Sequence, residues 1–160
     1  MILIRRVLLR PRIYEVIQEE GTLSNLKLKI NAFHGRGKLT DGDREFQFSY
    51  TKDKSAIEFS RHGVAVAESR GSAVRWRFTG GGHVLNLHQP KALNAMTAVY
   101  SGSRRLGAVT RVGWFPVKVE VDLPNEIDQL SQLFICVAAM AGWRQASSGM
   151  EPPGSSAAAP

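Results

Sequence analysis

Residues 122–143 read DLPNEIDQLSQLFICVAAMAGW, and this stretch decides the fold. From Leu133 to Ala141 every residue is apolar. A helix with no polar face must be enclosed on all sides, by protein or by lipid. Nine or ten helical residues rise only about 15 Å, roughly half a bilayer's hydrocarbon core, which favours enclosure by protein. The flanks suggest a helix over about 124–142. Pro124 suits a first helical turn, Glu126 and Asp128 suit the positive N-terminal end, and Gly142 suits a C-terminal stop.

The residues upstream cannot supply helices to surround it. Turn residues recur at Gly42, Asp53, Gly63, Gly71, Gly81, Pro90, Gly102 and Gly113, at intervals of eight to twelve residues. That rhythm belongs to consecutive short strands. Between the turns, apolar residues alternate with polar ones. Leu26, Leu28 and Ile30 oppose Lys27 and Lys29. Phe46, Phe48 and Tyr50 oppose Glu45, Gln47 and Ser49. Ile57 and Phe59 oppose Glu58 and Ser60. Val74, Trp76 and Phe78 oppose Arg75 and Arg77, and Val117, Val119 and Val121 oppose Lys118 and Glu120. Each segment has one face for a core and one for water. Ten to twelve such strands between Ile13 and Val121 form a meander too long to stay flat and open. The expected fold is therefore mainly β: a closed antiparallel barrel of about 12 strands around a buried C-terminal helix. Eight strands would leave room only for side chains, whereas ten or more can admit a helix.

Composition sets outer limits. The chain has 160 residues, 43% hydrophobic and 22% charged, which suits one globular domain. One cysteine, Cys136, forms neither an internal bridge nor a CxxC knuckle. Net charge is +7, and residues 1–12 (MILIRRVLLRPR) hold four of the seven excess charges. This basic-apolar segment reads either as an arm drawn to anionic lipid or nucleic acid, or as a first strand with solvated arginines. Its arginines interrupt the apolar run, so no signal peptide is expected. Residues 147–160 (SSGMEPPGSSAAAP) lack the apolar content to order themselves and are expected to be a disordered tail. The domain thus spans 13–146.

Leu123-Pro124 followed by Glu126-Ile127-Asp128 and an apolar helix resembles the strand-to-helix junction of the tubby C-terminal-like superfamily, in its phospholipid scramblase and LURP-one-related branch. Arg12-Ile13-Tyr14-Glu15-Val16, with Glu20-Gly21 after it, is similar to that family's opening hairpin. The resemblance covers roughly residues 12–144. It implies a twelve-stranded barrel around a central helix, and a non-enzymatic module that is membrane-associated through phosphoinositides or other anionic lipids, or that serves as an adaptor. The chain also departs from the scramblases. Gly113–Lys118, where their acidic calcium-associated segment would lie, has no carboxylate. Their cysteine cluster and proline-rich N-terminal region are missing. Neither calcium dependence nor scrambling is implied.

No sequence signature of catalysis is found: G-x-S-x-G, the P-loop and H-E-x-x-H are all absent. His34, His62, His83 and His88 show no metal-ligand spacing, and Cys136 sits in the most apolar run of the chain. Asp122, Glu126 and Asp128 read as charge complements to a helix start, with cation binding as the other reading. Gly80-Gly81-Gly82 reads as a hairpin turn. No catalytic residue, metal or cofactor is expected. The candidate headgroup ligands are Arg5, Arg6, Lys27, Lys29, Arg36, Lys38, Arg75, Arg77, Arg104 and Arg105. Solubility and edge protection are the other reading of the same cations. Trp76 points inward between Arg75 and Arg77, so it offers no stacking platform for bases, and nucleic acid is not the expected partner. Two functions follow: recognition of anionic phospholipid headgroups at a membrane surface from the cytoplasm, or a soluble protein–protein adaptor on an inert barrel. A lipocalin-like ligand barrel, and with it a small-molecule substrate, is disfavoured because the helix takes the interior.

Overall fold

The computed structural model describes residues 1–6, 13–18, 23–31, 36–51, 55–72, 74–90, 95–113 and 118–148. At 5–6, 13–18, 23–31 and 145–148 only the backbone is described. The chain runs β1 (Ile2–Arg6), β2 (Ile13–Gln18), β3 (Leu23–Asn31), β4 (Arg36–Asp41), β5 (Arg44–Tyr50), β6 (Ala56–Arg61), β7 (Val64–Ser72), β8 (Arg75–Gly80), β9 (His83–His88), β10 (Met96–Ser101), β11 (Arg104–Val112), β12 (Lys118–Asp122) and α1 (Gln129–Ser148). The fold is mainly β, with one antiparallel sheet and one C-terminal helix.

Ten strands with described side chains, β4 through β12 and then β1, form one continuous antiparallel ladder. The backbones of β2 and β3 pair antiparallel with each other and with β1 and β4. The ladder follows from the alternation. Phe46, Phe48, Ile57, Phe59, Trp76, Phe78, Leu85, Leu87, Val119 and Val121 are buried, while Glu45, Gln47, Ser49, Glu58, Arg75 and Arg77 are exposed. Register shifts at Phe59/Ser60 and Val99/Tyr100 break the alternation, and the backbone of β2 shifts register between Glu15 and Ile17. An extra residue in a strand turns consecutive side chains outward and strengthens the local twist.

Ser131 through Trp143 are buried without interruption. Leu133, Ile135, Cys136 and Ala138 are fully enclosed. The Phe134 ring stacks on Phe59 with centroids 4.4 Å apart and meets Phe46 edge-on at 5.7 Å. The Trp143 Nε1–H donates to the Thr97 hydroxyl on β10 at 3.0 Å. Small residues mark where the helix comes closest, against β7, β8 and β12. Ala67 and Ser69 are buried on β7, and a Cβ at Gly81 in the β8–β9 turn would collide with Ser131 and Asp128 at the helix start.

Several expectations need correction. The helix occupies 129–148, not 124–142. Pro124 and Ile127 close a turn (Ile127 N–H to the Pro124 carbonyl, 3.0 Å), so Pro124 and Glu126 precede the helix. Asp128 is the cap. Its carboxylate accepts from the Ser131 N–H at 2.9 Å and the Ser131 hydroxyl at 2.5 Å, while its carbonyl takes the first helical bond from Gln132. Asp is a preferred N-cap because its side chain satisfies a donor that the first turn leaves open. Gly142 does not end the helix. It is buried mid-helix, and the bond from Trp143 holds the turn that follows. Ser147 and Ser148 belong to α1, while the rest of the expected tail, 149–160, lies outside the described residues. Gly71 is no turn residue but lies within β7, where a Cβ would strike the Arg75 carbonyl. Ser72 pairs with Arg75, so β7 runs on past Gly71, and Val74 is 42% exposed rather than in the core. Asp53, Val117 and the carboxylate-free 114–117 lie outside the described residues.

Two outcomes are expected. Ala138→Asp places an unpaired carboxylate where nothing can solvate it and should cost at least about 3 kcal/mol in urea unfolding. Burial pushes the Tyr50 hydroxyl up to about 12, against a lesser pull from Arg144. Above pH 10 the unfolded chain ionises this tyrosine while the folded chain does not. Stability therefore falls as pH rises from about 10 to 12, by roughly 1–3 kcal/mol. Tyr50→Phe should flatten that alkaline loss, read as the urea midpoint against pH.

Candidate anion-binding surface

The outward positions of β4, β5 and β6 converge in one place. Arg36 and Lys38 alternate with buried Leu39 on β4, so both face water. Register sets Arg36 opposite Ser49, Lys38 opposite Gln47, and Gln47 opposite Ser60. Together with Gly37 and Phe48 they line a groove of about 470 Å³. Its chemistry is two cations, two hydroxyls and one amide, all able to donate hydrogen bonds. The Lys38 Nζ donates to Glu45 Oε1 at 3.0 Å. That bond, then one from Gln47, holds the Glu45 carboxyl below the usual carboxylate range. The pair is about half exposed, so solvent screens it and Lys38 is not locked away. No carboxylate among the described residues pairs with Arg36. Phosphate oxygens suit this set, since an Arg fork gives directed contacts and Lys a mobile point charge.

The ten sequence-derived candidates do not form one cluster. Lys29 lies opposite Lys38 and Lys27 opposite Thr40, so the β3 pair borders this groove in register. Arg5 lies opposite Lys118, and Arg6 opposite Tyr14. The side chains of these four lie outside the described residues. Arg75 and Arg77 occupy a second region. A cross-strand row runs Arg70, Arg77, Asn86, Tyr100, Arg105, with Arg75 paired to His88 one step below. A groove of about 330 Å³ lies there, lined by Arg75, Trp76, Asn86, Leu87, His88, Tyr100 and Gly102. Arg70 is held by Glu68 at 2.6 and 3.1 Å, and that contact lowers the Glu68 carboxyl. Arg104 and Arg105 stand at the β10–β11 hairpin, both exposed because of the bulge.

Sequence reasoning missed Gln47, Ser49 and Ser60 as groove residues, although their outward facing is legible in the alternation. It also missed Arg111, Lys118 and Arg144, all exposed. Arg61 is another omission: half-buried, it lies over the Phe46 ring, 5.8 Å from its centroid. The carboxylates once weighed as a cation site separate, since Asp128 is committed to the helix cap and Asp122 ends β12. Cys136 is enclosed, and burial pushes its thiol well up. Among the described residues, no helix is long and apolar enough to cross a membrane. Compared with family models, curated proteins and solved structures, the chain matches none.

Arg36→Gln and Lys38→Gln touch only the outer face. Each variant should melt within about 2 °C of the parent by calorimetry. A larger drop would mean that these side chains hold the sheet together.

Proposed function

We propose that this chain is a non-enzymatic binding module of the tubby-like kind, its circular ladder closed as a barrel around α1, and that it recognises anionic phospholipid headgroups. The observation carrying this reading is the donor-lined groove of Arg36, Lys38, Gln47, Ser49 and Ser60 on the outer face. A phosphate monoester or diester there meets cations and hydroxyls together. The packed helix supports the same reading from the inside. Phe134, Leu133, Ile135 and Met140 occupy the space that a lipocalin-like ligand would need.

Co-sedimentation with vesicles tests it. The parent should bind phosphatidylcholine vesicles containing phosphatidylserine or a phosphoinositide, ignore pure phosphatidylcholine, and weaken as salt rises. Arg36→Gln/Lys38→Gln should bind about 30-fold more weakly, from about 1 kcal/mol lost per cation. Binding that ignores headgroup charge or salt would contradict the proposal. A stoichiometric protein partner with no vesicle binding would favour the adaptor instead.

A further inference from the structure

Strand register sorts the charged side chains by end. At the end where α1 finishes stand Arg36 at the start of β4, Arg75 at the start of β8, Arg111 near the end of β11, Lys118 at the start of β12, and Arg144 on the helix. All five are exposed. Antiparallel strand direction places the four strand cations at one end: Arg36, Arg75 and Lys118 open their strands there, and Arg111 lies one residue from the close of β11. Trp143 bonded to Thr97, near the start of β10, fixes the helix C-terminus at that same end. Among residues with described side chains, no carboxylate occupies the two strand positions nearest this end and none pairs with these five, while Glu58 and Glu120 stand third in β6 and β12.

The opposite end has the reverse character. There the helix begins, and Asp41, Asp43, Glu45, Asp122, Glu126 and Asp128 gather at the strand ends and the helix cap. Arg44 is paired to Asp41 there, and Arg61, Arg104 and Arg105 also lie at strand ends on this side. The molecule is thus polarised along the helix axis. Exposed valines do not distinguish the ends: Val74 and Val112 lie at the cationic end, Val64 and Val84 at or toward the other. Charge does.

We infer that the chain docks end-on, with the rim around the C-terminus of α1 laid against an anionic phospholipid bilayer. This rests on the lipid reading above and adds the docking face. Arg36 belongs to both the groove and the rim, so the groove opens beside the bilayer plane. The shape of the rim favours a bilayer over other polyanions. In the circular order, β4, β8 and the β11–β12 pair are spread round the ring with three, two and three strands between them. A flat surface meets all three at once. A nucleic-acid strand or duplex is linear and meets one side of the ring. Rim cations held near an anionic leaflet gain from its surface potential, which fades within about a Debye length. The acidic end then faces away from the bilayer.

Two double variants with the same charge change separate orientation from net charge. Arg111→Glu/Lys118→Glu alters the rim, and Arg104→Glu/Arg105→Glu alters the far end. With phosphatidylserine-containing vesicles at fixed salt, the rim variant should bind at least about tenfold more weakly than the parent. The far-end variant should stay within about twofold. As a second readout on otherwise intact chains, an environment-sensitive dye is attached through Ser72→Cys at the rim or Ser103→Cys at the far end, since Cys136 is buried. The rim dye should shift on vesicle addition and the far-end dye should not. If the parent binds but both doubles lose equally, or the far-end dye shifts, the end-on orientation is wrong while the lipid reading stands. If the parent ignores anionic vesicles altogether, the lipid reading fails. Tighter binding to duplex DNA or RNA than to vesicles would overturn the choice of a bilayer.

Discussion

A helix with no polar side cannot meet water anywhere along its apolar length, and most of this structure follows from that constraint. From Ser131 to Trp143 every position of α1 is buried. Protein must therefore surround it, and the strands are the only elements present in quantity. Their inward rows of Phe, Leu, Ile and Val supply the wall, and their small residues, Ala67, Ser69 and the turn glycine Gly81, let the helix approach. The outward rows are then free of any structural duty, which makes them available for recognition.

This division of labour explains why the inside and outside differ in chemistry. The inside is aromatic and aliphatic, with Phe134 stacked on Phe59 of β6 and edge-on to Phe46 of the neighbouring β5. The outside carries donors at positions set by register, and the charges segregate by end as well as by face. Alternation decides which face a side chain takes, whereas turns and bulges decide which neighbours it meets. A basic groove across β4–β6 is therefore a product of pairing, not of any local motif.

The sequence shows the first of these and hides the second. Period-two alternation around Phe46–Tyr50, Ile57–Phe59 and Trp76–Phe78 marked strands and their buried faces, and the run Leu133–Ala141 marked the helix. No glycine or proline stands between Ser72 and Arg75, so the turn was assigned to Gly71, which lies within β7, and Val74 was assigned inward. The helix start was misplaced because Pro124 and Glu126 fit helix N-terminal preferences as well as Asp128 does. Only tertiary packing, with Gly81 lying on Asp128 and Ser131, selects among them. Eight of the cations were read as water-facing; Arg36, Lys38, Arg75, Arg77, Arg104 and Arg105 are exposed, but their division between regions depends on cross-strand register that no single strand encodes. Lys118 was read as water-facing beside Glu120 but not counted among the candidates, and Arg144 directly follows the buried stretch of α1.

The most direct test of the enclosed helix uses the single cysteine as its own probe. Cys136 lies at the centre of α1, fully buried, and burial disfavours its thiolate. Under native conditions at pH 8, an aromatic disulfide reagent should leave the thiol unmodified over hours. Labelling should begin only through the urea range in which the chain unfolds, with the same midpoint as the loss of tertiary structure. Prompt, complete labelling in native buffer would place the helix at the surface and contradict the account.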